Sequence, residues 1–190
     1  MTDPIPPLRV GITGHRFITD LDTLIDSLEK VFQFLDGKFP FSRFEVYSGL
    51  AEGADRLAAK VFLGHHSSLI AVIPLPVEEY QKDFTVDTSL KSLELLLQKA
   101  EKIIFLSKVP YREQAYAALG EFLLQNSNIL ITLWDGQPSS SGGSTGNIST
   151  RAIDQKCPVI WIHTINHNPQ TINLSGLQQE QGQIDYLNFL

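Results

Sequence analysis

Three stretches of the chain carry residues suited to holding an anion. "GITGHR" (11–16) supplies Gly14, His15 and Arg16. "YSGLAEGAD" (47–55) supplies Ser48, Gly49, Glu52 and Asp55. "LWDGQPSSSGGSTGN" (133–147) supplies Trp134 and Asp135, then Gly142, Gly143, Ser144 and Thr145. The chemistry they suit best is phosphate binding. Glycines let the backbone approach a ligand and turn its N–H groups inward. A helix that follows such a loop points its positive end at the same spot. Ser144 and Thr145 add hydroxyl donors, and Arg16 or Arg112 can neutralise the charge with paired hydrogen bonds. Trp134 or His15 can cover a base or a ribose. Each feature also has a plainer reading. The Ser/Gly-rich loop reads equally as a connector, and His15 as a solvated turn residue. Glu52 and Asp55 read as first-turn acids that answer a helix dipole, and Arg112 as a residue packed on a helix face. It is the joint occurrence that points to a site.

These residues need a scaffold that brings them together, and the hydrophobic pattern predicts one. Short apolar runs alternate with amphipathic segments. Strands are expected at 8–13, 44–49, 68–75, 102–107, 128–136 and 158–165. Helices are expected from the Asp20 cap through Leu35, at 51–64, 89–100 and 111–127, and over 148–157. Six strands separated by five helices imply right-handed βαβ units and a mostly parallel, doubly wound α/β sheet in a single domain. In such a sheet ligands bind beyond the carboxyl ends of the strands, where the strand order reverses. The candidate residues all follow strand ends, so they are expected on one edge. The opposite edge carries "DGKFPFSR" and "LGHHSS", of different character. The domain is expected to span 1–165, followed by a polar tail over 166–190 that admits one short helix near "IDYLNFL".

Composition narrows the function classes. The chain has 190 residues, 43% hydrophobic and 19% charged, enough apolar material for a core. The net charge of −6 leads us to expect no nucleic-acid partner, since such binders displace counterions with basic surface. The single cysteine, Cys157, precedes Pro158 at an apolar run and reads as a buried structural thiol. The pair His65–His66 has no third ligand near it, so no metal site is expected. "MTDPIPP" lacks the pattern of a signal peptide, and no apolar run approaches the ~18 residues of a membrane span. A cytoplasmic protein without membrane contact is therefore expected.

Taken in order, "GITGHR", "YSGLAEGADRLAA", the third-strand "IPL" with "EEYQKDF" after it, "LITLWDG" and "GGSTGN" resemble the SLOG superfamily. This is a group of Rossmann-like domains that includes the Lonely Guy proteins, the DNA-processing protein A domain and TIR-associated sensor modules. The resemblance covers roughly residues 8 to 162. It implies a pocket for a nucleotide or nucleotide-derived ligand, with the phosphate loop at Gly142, Gly143, Ser144 and Thr145. The flanking turns would be Gly14, His15 and Arg16, Ser48 and Gly49 with Glu52 to Asp55, and Trp134 and Asp135 with Gly136. One departure bears on activity. Lonely Guy enzymes carry a P-G-G-x-G-T-x-x-E motif, and the position of its Glu falls at or beside Ser149, where no carboxylate is present.

The leading expectation is a sensor or binding module for a small ligand of the AMP, ADP-ribose or NAD type. Phosphate would lie on Gly142–Thr145, Arg16 and Arg112 would balance charge, and Ser48 and Asp135 would hold ribose hydroxyls. The sequence identifies no cofactor beyond such a nucleotide-type ligand. It would act as a homo-oligomer or through a separate effector protein. The enzyme alternative is a nucleoside-monophosphate N-glycosidase, in which Glu52 or Asp135 would assist departure of the base by stabilising an oxocarbenium-like centre. A third reading is an assembly protein that keeps the fold without the site.

Overall fold

The computed structural model describes residues 5–106, 111–169, 177 and 179–189. Ser107, the last residue of the expected fourth strand, lies outside them. The elements run β1 Leu8–Gly14, α1 Leu21–Lys38, β2 Phe44–Ser48, α2 Ala54–Gly64, β3 Ser68–Ile73, α3 Val77–Gln81 and α4 Asp87–Lys99. They continue with β4 Lys102–Phe105, α5 Arg112–Asn126, β5 Ile129–Trp134, α6 Thr145–Asp154, β6 Val159–His163 and β7 Ile184–Leu187.

The strands form one sheet in the order β4-β3-β2-β1-β5-β6-β7. All neighbours are parallel except β7, which runs antiparallel to β6. The chain winds outward from β1 to β4, then returns to lay β5 on the other side of β1. The strand order therefore reverses between β1 and β5, and their carboxyl ends flank a crevice. This is the doubly wound α/β architecture that the sequence predicts.

The apolar pattern explains the two layers. β3 and β5 are buried along their whole length, as continuous apolar runs covered on both faces must be. On one face, Leu24, Leu28, Val31 and Leu35 of α1 and Ala54, Ala58 and Phe62 of α2 join the main core with Leu93 and Leu96 of α4. On the other face, Leu119 and Leu123 of α5 pack on Ile70 and Val72. There too, Ile148 and Ala152 of α6 pack on Leu130 and Val159.

Two details differ from the sequence reading. The expected helix near "IDYLNFL" is the strand β7, whose Ile184 and Tyr186 lie in register with Ile162 and Ile160. Phe34 of α1 packs against Tyr186 and Phe189, so a long-range contact decides the form of this short apolar stretch. α3, five residues long after Pro76, also goes beyond the five predicted helices.

Candidate functional site

The end of β1 is fixed by its neighbours. There is no room for a side chain at Gly14, where a Cβ would meet Ala54 and Leu133. His15 N–H donates to Leu133 O at 3.0 Å, and His15 O accepts from Ala54 N–H at 3.1 Å. Gly53, with φ of +77°, lies directly on the carbonyls of His15 and Arg16, where any Cβ would collide with backbone. The turn after β2 is thus laid onto the turn after β1. Glycine at position 53 is required twice, by its left-handed backbone and by that close approach.

His15 is not a solvated turn residue. Its Nε2 lies 3.0 Å from the backbone nitrogen of Asp135 and 3.1 Å from that residue's Oδ1, so it bridges the ends of β1 and β5. An unprotonated Nε2 accepts from the amide, whereas a protonated one donates to the carboxylate; the ring does one or the other. Burial opposes ionisation of Asp135, but hydrogen bonds with His15 and the Gln137 amide outweigh it and hold the carboxyl below its ordinary value.

A crevice of about 550 Å³ opens at this point. Gly14, His15, Arg16, Asp55, Gly143, Ser144 and Thr145 line it, together with Tyr116 and Leu119 of α5. It sits over the start of α6, where Ser144 acts as N-cap: its Oγ accepts from Asn147 N–H at 3.3 Å and donates to Ser141 O at 2.7 Å. No acidic residue occupies the first turn of α6. Gly143 is seated against α5, where a Cβ would lie 2.5 Å from that of Tyr116. The Arg16 guanidinium lies 5.6 Å from the Phe84 ring centroid and makes no hydrogen bond or salt bridge among the described residues, although its charge acts on Asp55.

Among the described residues Asp55 is the one carboxylate lining this crevice, and it is only 6% exposed. Burial pushes its carboxyl up to about 7, against the opposite pull of the Ala51 amide and of Arg16 and Arg56. Its neighbour Arg56 carries a structural role that the sequence reading passed over. Arg56 Nε donates to Leu50 O and Nη1 to Ser89, both at 2.8 Å, and the guanidinium stacks 4.4 Å from Phe84. Leu50 adopts φ of +56°, so Arg56 holds a strained turn in place.

The other expected site residues stand around the crevice rather than in it. Ser48 is fully buried, with Oγ accepting from Leu50 N–H at 3.1 Å. Gly49 O accepts from Tyr80 OH at 2.7 Å. Trp134 is 5.0 Å from Trp161, and its indole N–H donates to Gln137 O. Gly142 packs on Ala117. Glu52 lines a separate, shallower depression of about 460 Å³ that shares Arg16 with the crevice. Arg112 turns away altogether: its guanidinium pairs with Asp83 and donates to Glu79 O. Ser149, at the position of the Lonely Guy carboxylate, is buried, with its Oγ 2.6 Å from Thr132 Oγ1. Asn166, Asn168 and Pro169 join the crevice from the segment after β6, because His167 N–H donates to Phe17 O at 2.8 Å and draws that segment across. Among the twin histidines, His65 is stacked on Phe32 and paired with Glu29 at 2.6 Å.

No protein-family model matches the chain, and no curated protein matches it. Solved structures do. DNA processing protein A (DprA) from Streptococcus pneumoniae matches with a TM-score of 0.58 at 20% identity, over 90% of this chain and 53% of that one. DNA processing protein A from Helicobacter pylori, a protein with a described single-stranded DNA binding mode, matches with a TM-score of 0.54 at 18% identity. That match covers 88% of this chain and 68% of the other. This chain thus spans about half the length of the first protein. The likeness is one of fold, and the fold is the one that the SLOG resemblance implies.

It also corrects one expectation. A net charge of −6 does not exclude nucleic acid, because a protein of this fold has a single-stranded DNA binding mode. The physical reason is that net charge sums the whole surface, whereas a single strand is held by a local groove and by stacking. Among the described residues no helix is long and apolar enough to cross a membrane.

Proposed function

We propose that this chain binds a nucleotide-derived ligand of the AMP, ADP-ribose or NAD type in the crevice at the ends of β1 and β5, as a binding or sensing module. The observation that carries this reading is Arg16. Arg16, whose guanidinium makes no hydrogen bond or salt bridge among the described residues, lines the same crevice as the Gly143–Thr145 turn and the N-terminus of α6. That guanidinium, backbone N–H groups at a capped helix start and the Thr145 hydroxyl form a donor set that suits phosphate, while the Ser144 hydroxyl proton is already given to Ser141 O. A volume of about 550 Å³ lies within the usual span of small-ligand sites. Of the two arginines expected to balance phosphate charge, Arg16 takes that role and Arg112 does not.

A second reading uses the same groups. The likeness to a protein with a single-stranded DNA binding mode supports a nucleotide within a strand as the occupant. A thermal-shift screen with AMP, ADP-ribose, NAD and a short oligothymidylate separates the two, because a ligand that prefers the native state raises the melting temperature. Stabilisation by free nucleotides supports the small-ligand reading, and stabilisation by the oligonucleotide alone supports the second. No shift with any of them contradicts both.

A further inference from the structure

A cavity of about 900 Å³ lies at the other edge of the sheet, where β1, β2 and β5 begin. It shares no lining residue with the crevice. It is a poor phosphate cradle, because α1 reaches it with its carboxyl end, which carries partial negative charge. Lys38 in the last turn of α1 and Lys156 just past α6 are explained in part as partners of those helix ends.

Arg9 is not explained in that way. It lies on β1, where no helix ends. Its backbone N–H donates to Asn128 Oδ1 at 2.9 Å, and its Nε reaches the same oxygen at 3.4 Å. The side chain is thus tethered at Nε, and its terminal nitrogens have no partner among the described residues. Glu45 is its register neighbour on β2, yet the two form no ion pair. Glu45 accepts instead from Tyr47 OH at 3.2 Å. Among the described residues, Arg9 and Lys156 therefore line the cavity beside Lys38, with Glu45 as the carboxylate. Phe39 and Phe189 supply apolar walls.

We propose that this cavity binds a small aromatic anion, with its charged head on Arg9 and Lys156 and its ring system against Phe39 and Phe189. A guanidinium tethered at Nε presents its remaining donors in a fixed fork that suits a carboxylate or sulfonate. An aromatic body replaces water on the apolar walls, so both halves of the ligand are recognised. The proposal is independent of the one for the crevice.

The test uses anilinonaphthalene sulfonate as the probe and its uncharged relative N-phenylnaphthylamine as the control, followed by fluorescence with the full folded chain. Saturable binding of the sulfonate is expected, weakening as salt is raised. The variant R9Q/K156Q should keep its melting temperature and lose about tenfold or more in affinity, the scale of a charge-assisted contact. N-phenylnaphthylamine should bind wild type and variant alike, and Arg16→Ala should leave the sulfonate affinity unchanged. The proposal is overturned if the sulfonate does not saturate or binds wild type and R9Q/K156Q equally. It is overturned as well if Arg16→Ala abolishes binding, which would place the probe in the crevice.

Discussion

His15 and Asp135 join the ends of β1 and β5 across the point where the strand order turns, with Nε2 3.0 Å from the Asp135 amide nitrogen and 3.1 Å from its carboxylate. One side chain, His15, thereby joins the two strand ends and lines the crevice. His15→Ala leaves the half-buried amide or carboxylate of Asp135 without its imidazole partner. It should destabilise the fold by about 1–3 kcal/mol, the cost of an unsatisfied polar group, measured by urea denaturation. Wild-type stability in that variant would show that the bridge is incidental.

Arg16 and Arg112 should behave differently. Arg16→Ala removes the unpaired guanidinium of the crevice and should weaken nucleotide binding by about 1.5–3 kcal/mol, the range for hydrogen bonds to charged groups. Its effect on the melting temperature should be small. Arg112→Ala breaks the pair with Asp83 that ties α5 to the turn after α3, so it should lower stability and leave affinity nearly intact. Calorimetric titration with AMP reads one effect and thermal denaturation the other. A loss of affinity in Arg112→Ala equal to that in Arg16→Ala would contradict the assignment.

Asp55 predicts a pH dependence. Its carboxyl is raised from an ordinary value of 3.8 to about 7 in the folded chain, so between those values the folded state holds a proton that the unfolded state has released. Stability from this group is fully present below pH 3.8 and is lost as pH rises to about 7. Above that, a charged Asp55 also repels an anion in the same crevice. Asp55→Asn should therefore flatten the fall in stability over this window and keep AMP affinity steady above neutral pH. Parallel pH profiles for wild type and variant would remove Asp55 from both effects.

Two glycines should resist substitution for separate reasons. Gly53→Ala meets both a left-handed backbone and the carbonyls of His15 and Arg16, so it should prevent the two turns from closing. Gly143→Ala drives a Cβ into Tyr116 and should lift the loop from α5, with an overpacking cost of about 1–3 kcal/mol. Circular dichroism melts read both. A Gly53→Ala protein as stable as wild type would refute the close approach.

The sequence carried the scaffold further than the site. Continuous apolar runs such as "SLIAVI" and "ILITLW" mark strands covered on both faces, and those are β3 and β5. The clustering of Gly14, Arg16, Asp55 and Gly143 follows from the rule that strand ends share an edge, and these residues do meet. What periodicity does not encode is side-chain direction over long separations. Arg112 finds Asp83 29 residues away, and His15 finds Asp135 120 residues away. Trp134 and Ser48 are the last residues of β5 and β2, yet their polar atoms are used within the fold. Arg56 stands next to Asp55 in a helix and carries no local mark of its bonds to Leu50 and Ser89. The strand β7 is too short for its alternation to outweigh a helical reading; its pairing with β6 and the packing of Phe34 decide it.

The most direct measurement is a crystal structure of the chain with ADP-ribose. The account predicts phosphate density within hydrogen-bond distance of the Arg16 guanidinium and of the backbone at Gly143–Thr145, at the start of α6. Phosphate bound elsewhere on the chain, or an empty crevice at saturating ligand, would contradict it.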